Sequence, residues 1–237
     1  MRRFRPFVVC VTAAVLALGA CSSSSSSEDA TPAPSTASST PSPSSSPTVS
    51  ATPGADAPVI VALGDSLAAG FQPGQGVVPA TSYPARFTEI ASARGSGLSM
   101  VNLACSGETA HTMIEGGDCT YAAGNQLAEA VATLTERGES VAAVTIDIGG
   151  NDMLRCLSAS GPDAACGTSA VADLSERLGT ILGQLRVAAP QTPIALVSYY
   201  DPFSVLPMLT ADNKAIIADL WSQLNAALAS QAQLHNA

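Results

Sequence analysis

The sequence predicts a three-layer α/β domain built on a mainly parallel sheet. Three observations carry this. Short, unbroken apolar runs recur along the chain from Pro58 onward, and runs without polar alternation suit strands buried on both faces. Between them lie stretches with apolar residues three and four positions apart, the spacing of one helix face. The two kinds of segment alternate, as they do when helices cover a parallel sheet.

In chain order, the first strand is expected at Val59-Ile60-Val61-Ala62-Leu63. A helical pattern carrying Phe87 and Ile90 follows and stops at Gly95. The second strand is expected from Ser99 to Ala104. Asn125 then has the chemistry of a helix N-cap ahead of Leu127, Val131 and Leu134, and Gly138 closes that helix. The third strand is expected from Val141 to Ile148. Val171, Leu174, Leu178, Ile181, Leu182 and Leu185 form a long helical face ended by Pro190. The fourth strand is expected from Pro193 to Tyr199, and a fourth helix from about Asp212 with Ile216, Leu220, Leu224 and Leu228 on one side. No internal repeat interrupts this order. Hydrophobic residues make up 46% of the 237 and aromatics only 4%, so the core is mostly aliphatic and alanine.

The segment ahead of the domain reads as an address. Arg2, Arg3 and Arg5 precede an apolar run from Phe7 to Ala20. That run is shorter than the roughly 20 residues a membrane-spanning helix needs, and a basic start followed by a short apolar stretch makes a signal peptide. Leu18-Gly19-Ala20-Cys21 resembles the bacterial lipobox. Residues 1–21 are therefore expected to be a lipoprotein signal peptide, with Cys21 lipidated. Arg2-Arg3 leaves both the general and the twin-arginine export routes open. Residues 22–57 are almost entirely Ser, Thr, Pro and Ala. They have too little to bury to offset their ordering entropy, as expected of a disordered linker. The protein is thus expected on the outer face of the cell membrane, or shed from it. Removing the three arginines leaves 7 basic side chains against 19 acidic ones, a net charge of −12. Phosphate-backbone binding relies on Lys and Arg, so nucleic acid is set aside as a partner.

The chemistry-bearing residues fall where parallel sheets place ligands, at the carboxyl ends of the strands. Gly64-Asp65-Ser66 follows the first strand, Cys105-Ser106-Gly107 the second and Gly149-Gly150-Asn151-Asp152 the third. A serine at such a turn is exposed to a substrate. Gly107 allows a close backbone approach, so its N–H can face an oxyanion, and Asn151 carries an amide that can donate to the same charge. Acyl transfer needs such donors, because the tetrahedral intermediate carries negative charge on the former carbonyl oxygen.

Gly64-Asp65-Ser66-Leu67, Asn102-Leu103-Ala104-Cys105-Ser106-Gly107 and Gly150-Asn151-Asp152 resemble the first three sequence blocks of the SGNH, or GDSL-type, hydrolases. They come in the family's order and each follows a strand. The resemblance covers the chain from about Pro58 onward and is closest to secreted actinobacterial members. It implies a flavodoxin-like fold and an esterase or lipase activity that needs no cofactor. It also implies roles: Ser66 as nucleophile, and the Ser66 N–H, the Gly107 N–H and the Asn151 side chain as the oxyanion hole.

A serine hydroxyl is a poor nucleophile until a base takes its proton. The family supplies that base as a histidine in a late Asp-x-x-His block after a fifth strand. This chain has 2 histidines, and neither fits. Ala232 stands three residues before His235, which reads as a solvated helix-end residue. His111 follows the Ser106-Gly107-Glu108-Thr109 turn and reads as a pocket wall or substrate contact. The chain is therefore expected to stop short of that block, so that domain 58–237 lacks the family's last strand and helix. The fourth strand would then be a sheet edge. Asp65 and Asp152 read as turn and hydrogen-bonding residues, and Asp201 as the turn that ends the fourth strand.

Cys105, Cys119, Cys156 and Cys166 remain in the domain, and an even count in an exported chain suggests disulfides. Three pairings are open, of which Cys105–Cys119 with Cys156–Cys166 is the sequence-local one. No Cys-x-x-Cys is present and the histidines are far from the cysteines, so tetrahedral metal binding is not expected.

The expected function is hydrolysis of acyl esters, of small molecules, lipids or glycans, by a monomer tethered to the membrane through Cys21. The alternative is a catalytically impaired surface lipoprotein that keeps the pocket and binds an acyl or glycan ligand. A third reading is a product with no stable function.

Overall fold

The computed structural model describes residues 57–237. The expected signal peptide, Cys21 and all of the linker before residue 57 lie outside the described residues. Fifteen helices and strands follow in chain order. They are β1 (Val59–Gly64), α1 (Ser66–Ala69), β2 (Phe71–Gln72), β3 (Gly76–Val77), α2 (Tyr83–Ala93), β4 (Ser99–Asn102), α3 (Ala110–Glu115), α4 (Gln126–Arg137), β5 (Val141–Asp147), α5 (Gly150–Leu154), β6 (Leu157–Ser158), β7 (Gly161–Pro162), α6 (Ala164–Ala188), β8 (Ile194–Leu196) and α7 (Ala211–Leu234).

The sheet is parallel, in the order β4-β1-β5-β8. β1 is buried at every position, as its unbroken apolar sequence requires. Its side chains alternate between two layers. Val59, Val61 and Leu63 join a large core with Leu134 of α4, Leu174, Leu178 and Leu182 of α6, and Leu220 and Leu224 of α7. Ile60 and Ala62 are buried outside that cluster, toward α2, which packs on β1 and β4. α2 covers one face and α4 and α6 the other, so the domain has the three layers expected. β8 lies at the sheet edge.

The helix signals read from the sequence are met at their caps. The Asn125 side chain accepts from the Ala128 N–H at 2.8 Å, and Gly138 ends α4. α6 begins earlier than its apolar face suggested. Asp163 caps it by accepting from the Cys166 N–H at 3.0 Å, and its first turns, Ala-Ala-Cys-Gly-Thr-Ser, contain no large apolar residue. One expectation is reversed. Phe87 and Ile90 are 58% and 54% exposed, whereas Pro84, Thr88 and Ala91 carry the covered side of α2. That i, i+4, i+7 row is made of smaller residues, which let the helix approach the sheet closely, and it leaves Phe87 and Ile90 outside.

Two disulfides staple the loops at the carboxyl end of the sheet, Cys105–Cys119 and Cys156–Cys166, with sequence separations of 14 and 10. Closing a loop of about 15 residues restricts the unfolded chain by roughly 3 kcal/mol. The double variant Cys105→Ala/Cys119→Ala is accordingly expected to be about 3 kcal/mol less stable in a urea melt.

Candidate active site

The end of β1 builds the site. Gly64 has φ +132°, and a Cβ there would lie 2.2 Å from the Asp147 carbonyl oxygen at the end of β5. Only glycine permits this approach. The Asp65 N–H donates to that same carbonyl at 3.0 Å, and the Asp65 Oδ1 accepts from the Leu67 N–H at 3.0 Å. The chain thereby turns sharply from strand into α1 and presents Ser66, half-buried, at its first position. Gln126 holds the turn from behind. Its Oε1 accepts from the Gly64 N–H at 2.7 Å, while its Nε2 donates to the Gly64 carbonyl at 3.1 Å and to Glu108 Oε2 at 2.9 Å. The Asn102 Nδ2 donates to the Ala68 carbonyl at 2.7 Å, tying the end of β4 to α1.

Ser66 and Asn151 line one cavity of about 150 Å³, together with Asp65, Gly150, Leu154, Tyr199, Phe203 and Trp221 among others. The Asn151 Nδ2 donates to the Glu108 carbonyl at 2.8 Å. An amide carries two N–H groups, so one remains to face a substrate. Gly107 is exposed, has φ +92° and is not among the cavity's lining residues. The Glu108–Asn151 bond holds its turn one residue from Asn151. Asp152 is buried and its Oδ2 accepts from the Ala110 N–H at 3.1 Å, capping α3. The Asp201 Oδ1 accepts from the Phe203 N–H at 2.8 Å, forming a turn after β8.

Neither histidine lines the cavity. His111 is exposed on α3, which removes the pocket-wall role expected of it. His235 packs beside Gly179 and Gly183 of α6, and its carbonyl accepts from the Arg186 Nε at 3.2 Å. It lies 14 residues past Trp221, about 21 Å further along α7 at the helical rise.

Asp147 is the feature that inspection of the sequence missed. It is fully buried, with Asp65 as its neighbour at the end of β1. The Tyr83 hydroxyl donates to Asp147 Oδ1 at 3.1 Å, the Ala68 N–H to Asp147 Oδ2 at 3.2 Å and the Tyr199 hydroxyl to Asp65 Oδ2 at 2.7 Å. Burial, and then the neighbouring Asp65, push the Asp147 carboxyl up to about 9. Burial beside these carboxyls also pushes both tyrosines well above the ordinary phenol range. Asp147 therefore holds its proton at neutral pH beneath the turn that carries Ser66.

A pH dependence follows. An unfolded aspartate releases its proton near 3.8, whereas native Asp147 holds it to about 9. Between those values the native state binds the extra proton, so stability falls as pH rises. This contribution is complete below about pH 4 and gone above about pH 9, with a slope of at most about 1.4 kcal/mol per pH unit. Asp147→Asn keeps the shape and a donor but has no proton to lose. Thermal melts across pH 5 to 9 are expected to fall for the native chain and to fall less steeply for Asp147→Asn.

Comparison with known proteins bears on the family and the fold. A family model described as the GDSL-like Lipase/Acylhydrolase family matches residues 62–237. The crystal structure of phospholipase A1 from Streptomyces albidoflavus NA297 superposes with a TM-score of 0.51 at 23% identity, over 76% of this chain and 77% of that one. A Parabacteroides merdae protein assigned as a GDSL-like lipase gives 0.51 at 16% identity, over 76% and 75%. At these identities the likeness speaks for the fold. No curated protein matches the chain.

Proposed function

Because the chain belongs to the GDSL-like lipase/acylhydrolase family of carboxylic ester hydrolases, we propose that it cleaves acyl esters with Ser66 as the nucleophile. The observation that carries this reading is the shared cavity, which Ser66 and Asn151 both line. The Ser66 Oγ attacks the ester carbonyl and the alcohol departs, leaving an acyl-serine that water then hydrolyses. The Ser66 N–H, the Gly107 N–H and the free Asn151 N–H hold the oxyanion, a type of interaction worth about 10²–10³ in rate per donor.

The proton on Ser66 is the constraint on rate. No histidine lines the cavity, and the Asp65 oxygens already accept from Leu67 and Tyr199. From the oxyanion donors of the described residues alone, catalysis of about 10³–10⁴ over water is expected, as in enzymes stripped of their triads. The same observation favours a second reading, a surface protein that binds an acyl or glycan ligand without turning it over. Assays of p-nitrophenyl acetate and butyrate separate the two. Turnover with release of free acid supports the hydrolase. Ligand binding with no turnover above the buffer rate replaces it with the second reading.

We also propose that the domain is held at the outer membrane face through lipid on Cys21, on the strength of the basic start, the short apolar run and the Leu18-Gly19-Ala20-Cys21 sequence.

A further inference from the structure

We propose that the cavity beside Ser66 is a blind pocket for a short, uncharged acyl chain of up to about six carbons, with Trp221 as its inner wall. This rests on the reading of Ser66 as the acyl acceptor. Exposure gives the cavity a direction. Trp221 is 4% exposed and Tyr200, at the opposite extreme of the same lining, 71%. Leu67 and Leu154, also on the lining, are exposed. The mouth is therefore at Leu67, Leu154 and Tyr200, and the closed end at Trp221. Phe203 meets the indole edge-on, with ring centroids 5.3 Å apart, and braces that end.

Charge limits what can enter. Among the described residues no Lys, Arg or His lines the cavity, and the one acid on its lining, Asp65, is buried with both oxygens accepting hydrogen bonds. A phosphate or carboxylate group would find no counter-charge inside, whereas an alkyl chain finds leucine and aromatic walls. Volume limits length. About 150 Å³ is the size of an apolar cavity that takes up one benzene molecule, so a chain of about six carbons fills it. The closed end also assigns the part of the ester. When the Ser66 Oγ–acyl bond forms, the bond to the alcohol oxygen breaks and the alcohol leaves with a proton. The departing half needs the mouth, and the half retained on serine can occupy the blind end.

The chain contains a single tryptophan, so Trp221 fluorescence reads occupancy without any turnover. Ser66→Ala protein would be titrated with ethyl butyrate, ethyl hexanoate and ethyl decanoate below their solubility limits. A saturating change in emission is expected for butyrate and hexanoate, with decanoate at least tenfold weaker. No saturable change with any of the three, or decanoate binding as well as hexanoate, overturns the pocket. In parallel, p-nitrophenyl esters from two to twelve carbons would be assayed on the native chain, with an optimum expected at four to six and at least a tenfold fall by ten. A rate that keeps rising through twelve carbons also overturns it. Fluorescence binding without turnover of any ester leaves the pocket standing and removes the hydrolase reading instead.

Discussion

Gly64→Ala is expected to abolish the cooperative thermal melt. The added methyl carbon would sit 2.2 Å from the Asp147 carbonyl oxygen and 2.3 Å from Asp147 Oδ1. A flexible side chain could move aside, but the first of these atoms is backbone. It is pinned by the parallel pairing of β1 with β5 and accepts from the Asp65 N–H at 3.0 Å. The φ of +132° adds strain for any residue with a Cβ. A clash in the central strand pair belongs with the mechanisms that exceed 4–5 kcal/mol, against a total stability of about 5–15 kcal/mol for a typical domain. Gly74→Ala is the control. Gly74 also has positive φ, +78°, but nothing lies within 4 Å of its added carbon, so only the conformational cost of about 1–2 kcal/mol applies. Melts followed by circular dichroism should show a folded Gly74→Ala and an unfolded or aggregated Gly64→Ala.

Ser66→Ala is expected to remove every covalent event at the site while leaving the fold intact. Ser66 is half-buried, and none of the described side-chain hydrogen bonds uses its hydroxyl. The turn is held instead by Asp65, Gln126, Asn102 and Asp147, so the melt should shift by less than about 0.5 kcal/mol. Incubation of native protein with p-nitrophenyl butyrate should leave a butyryl group on Ser66, detected by intact mass. The variant should show none. A butyryl adduct that persists in Ser66→Ala would place the nucleophile elsewhere.

The frame of the domain was legible because its strands are buried on both faces. Unbroken apolar runs such as Val59 to Leu63 have no other easy use in a domain with so few aromatics. Asn125 was legible because capping is local, and the disulfide partners because each pair is close in sequence. The Asp65–Asp147 pair was hidden for the opposite reason. Asp147 sits inside the run Val141 to Ile148; the pairing of β1 with β5 brings Asp65 to it, and the packing of α2 on the sheet brings Tyr83. Tyr199 reaches Asp65 across 134 positions, a contact no periodicity records. Trp221 was hidden within the apolar face of α7, where a core residue and a pocket wall have the same spacing. Phe87 and Ile90 misled because two large apolar residues three apart suggest a buried face even where smaller neighbours form it.

The proposed role of Ser66, as nucleophile of an acyl site at the carboxyl end of the sheet, can be read on the residue itself. Peptide mapping after fluorophosphonate treatment of the folded chain tests it most directly. The expected result is one phosphonyl adduct, on Ser66, lost on denaturation before labelling and absent in Ser66→Ala. A folded protein that takes no adduct, or takes it on another residue, would contradict the assignment.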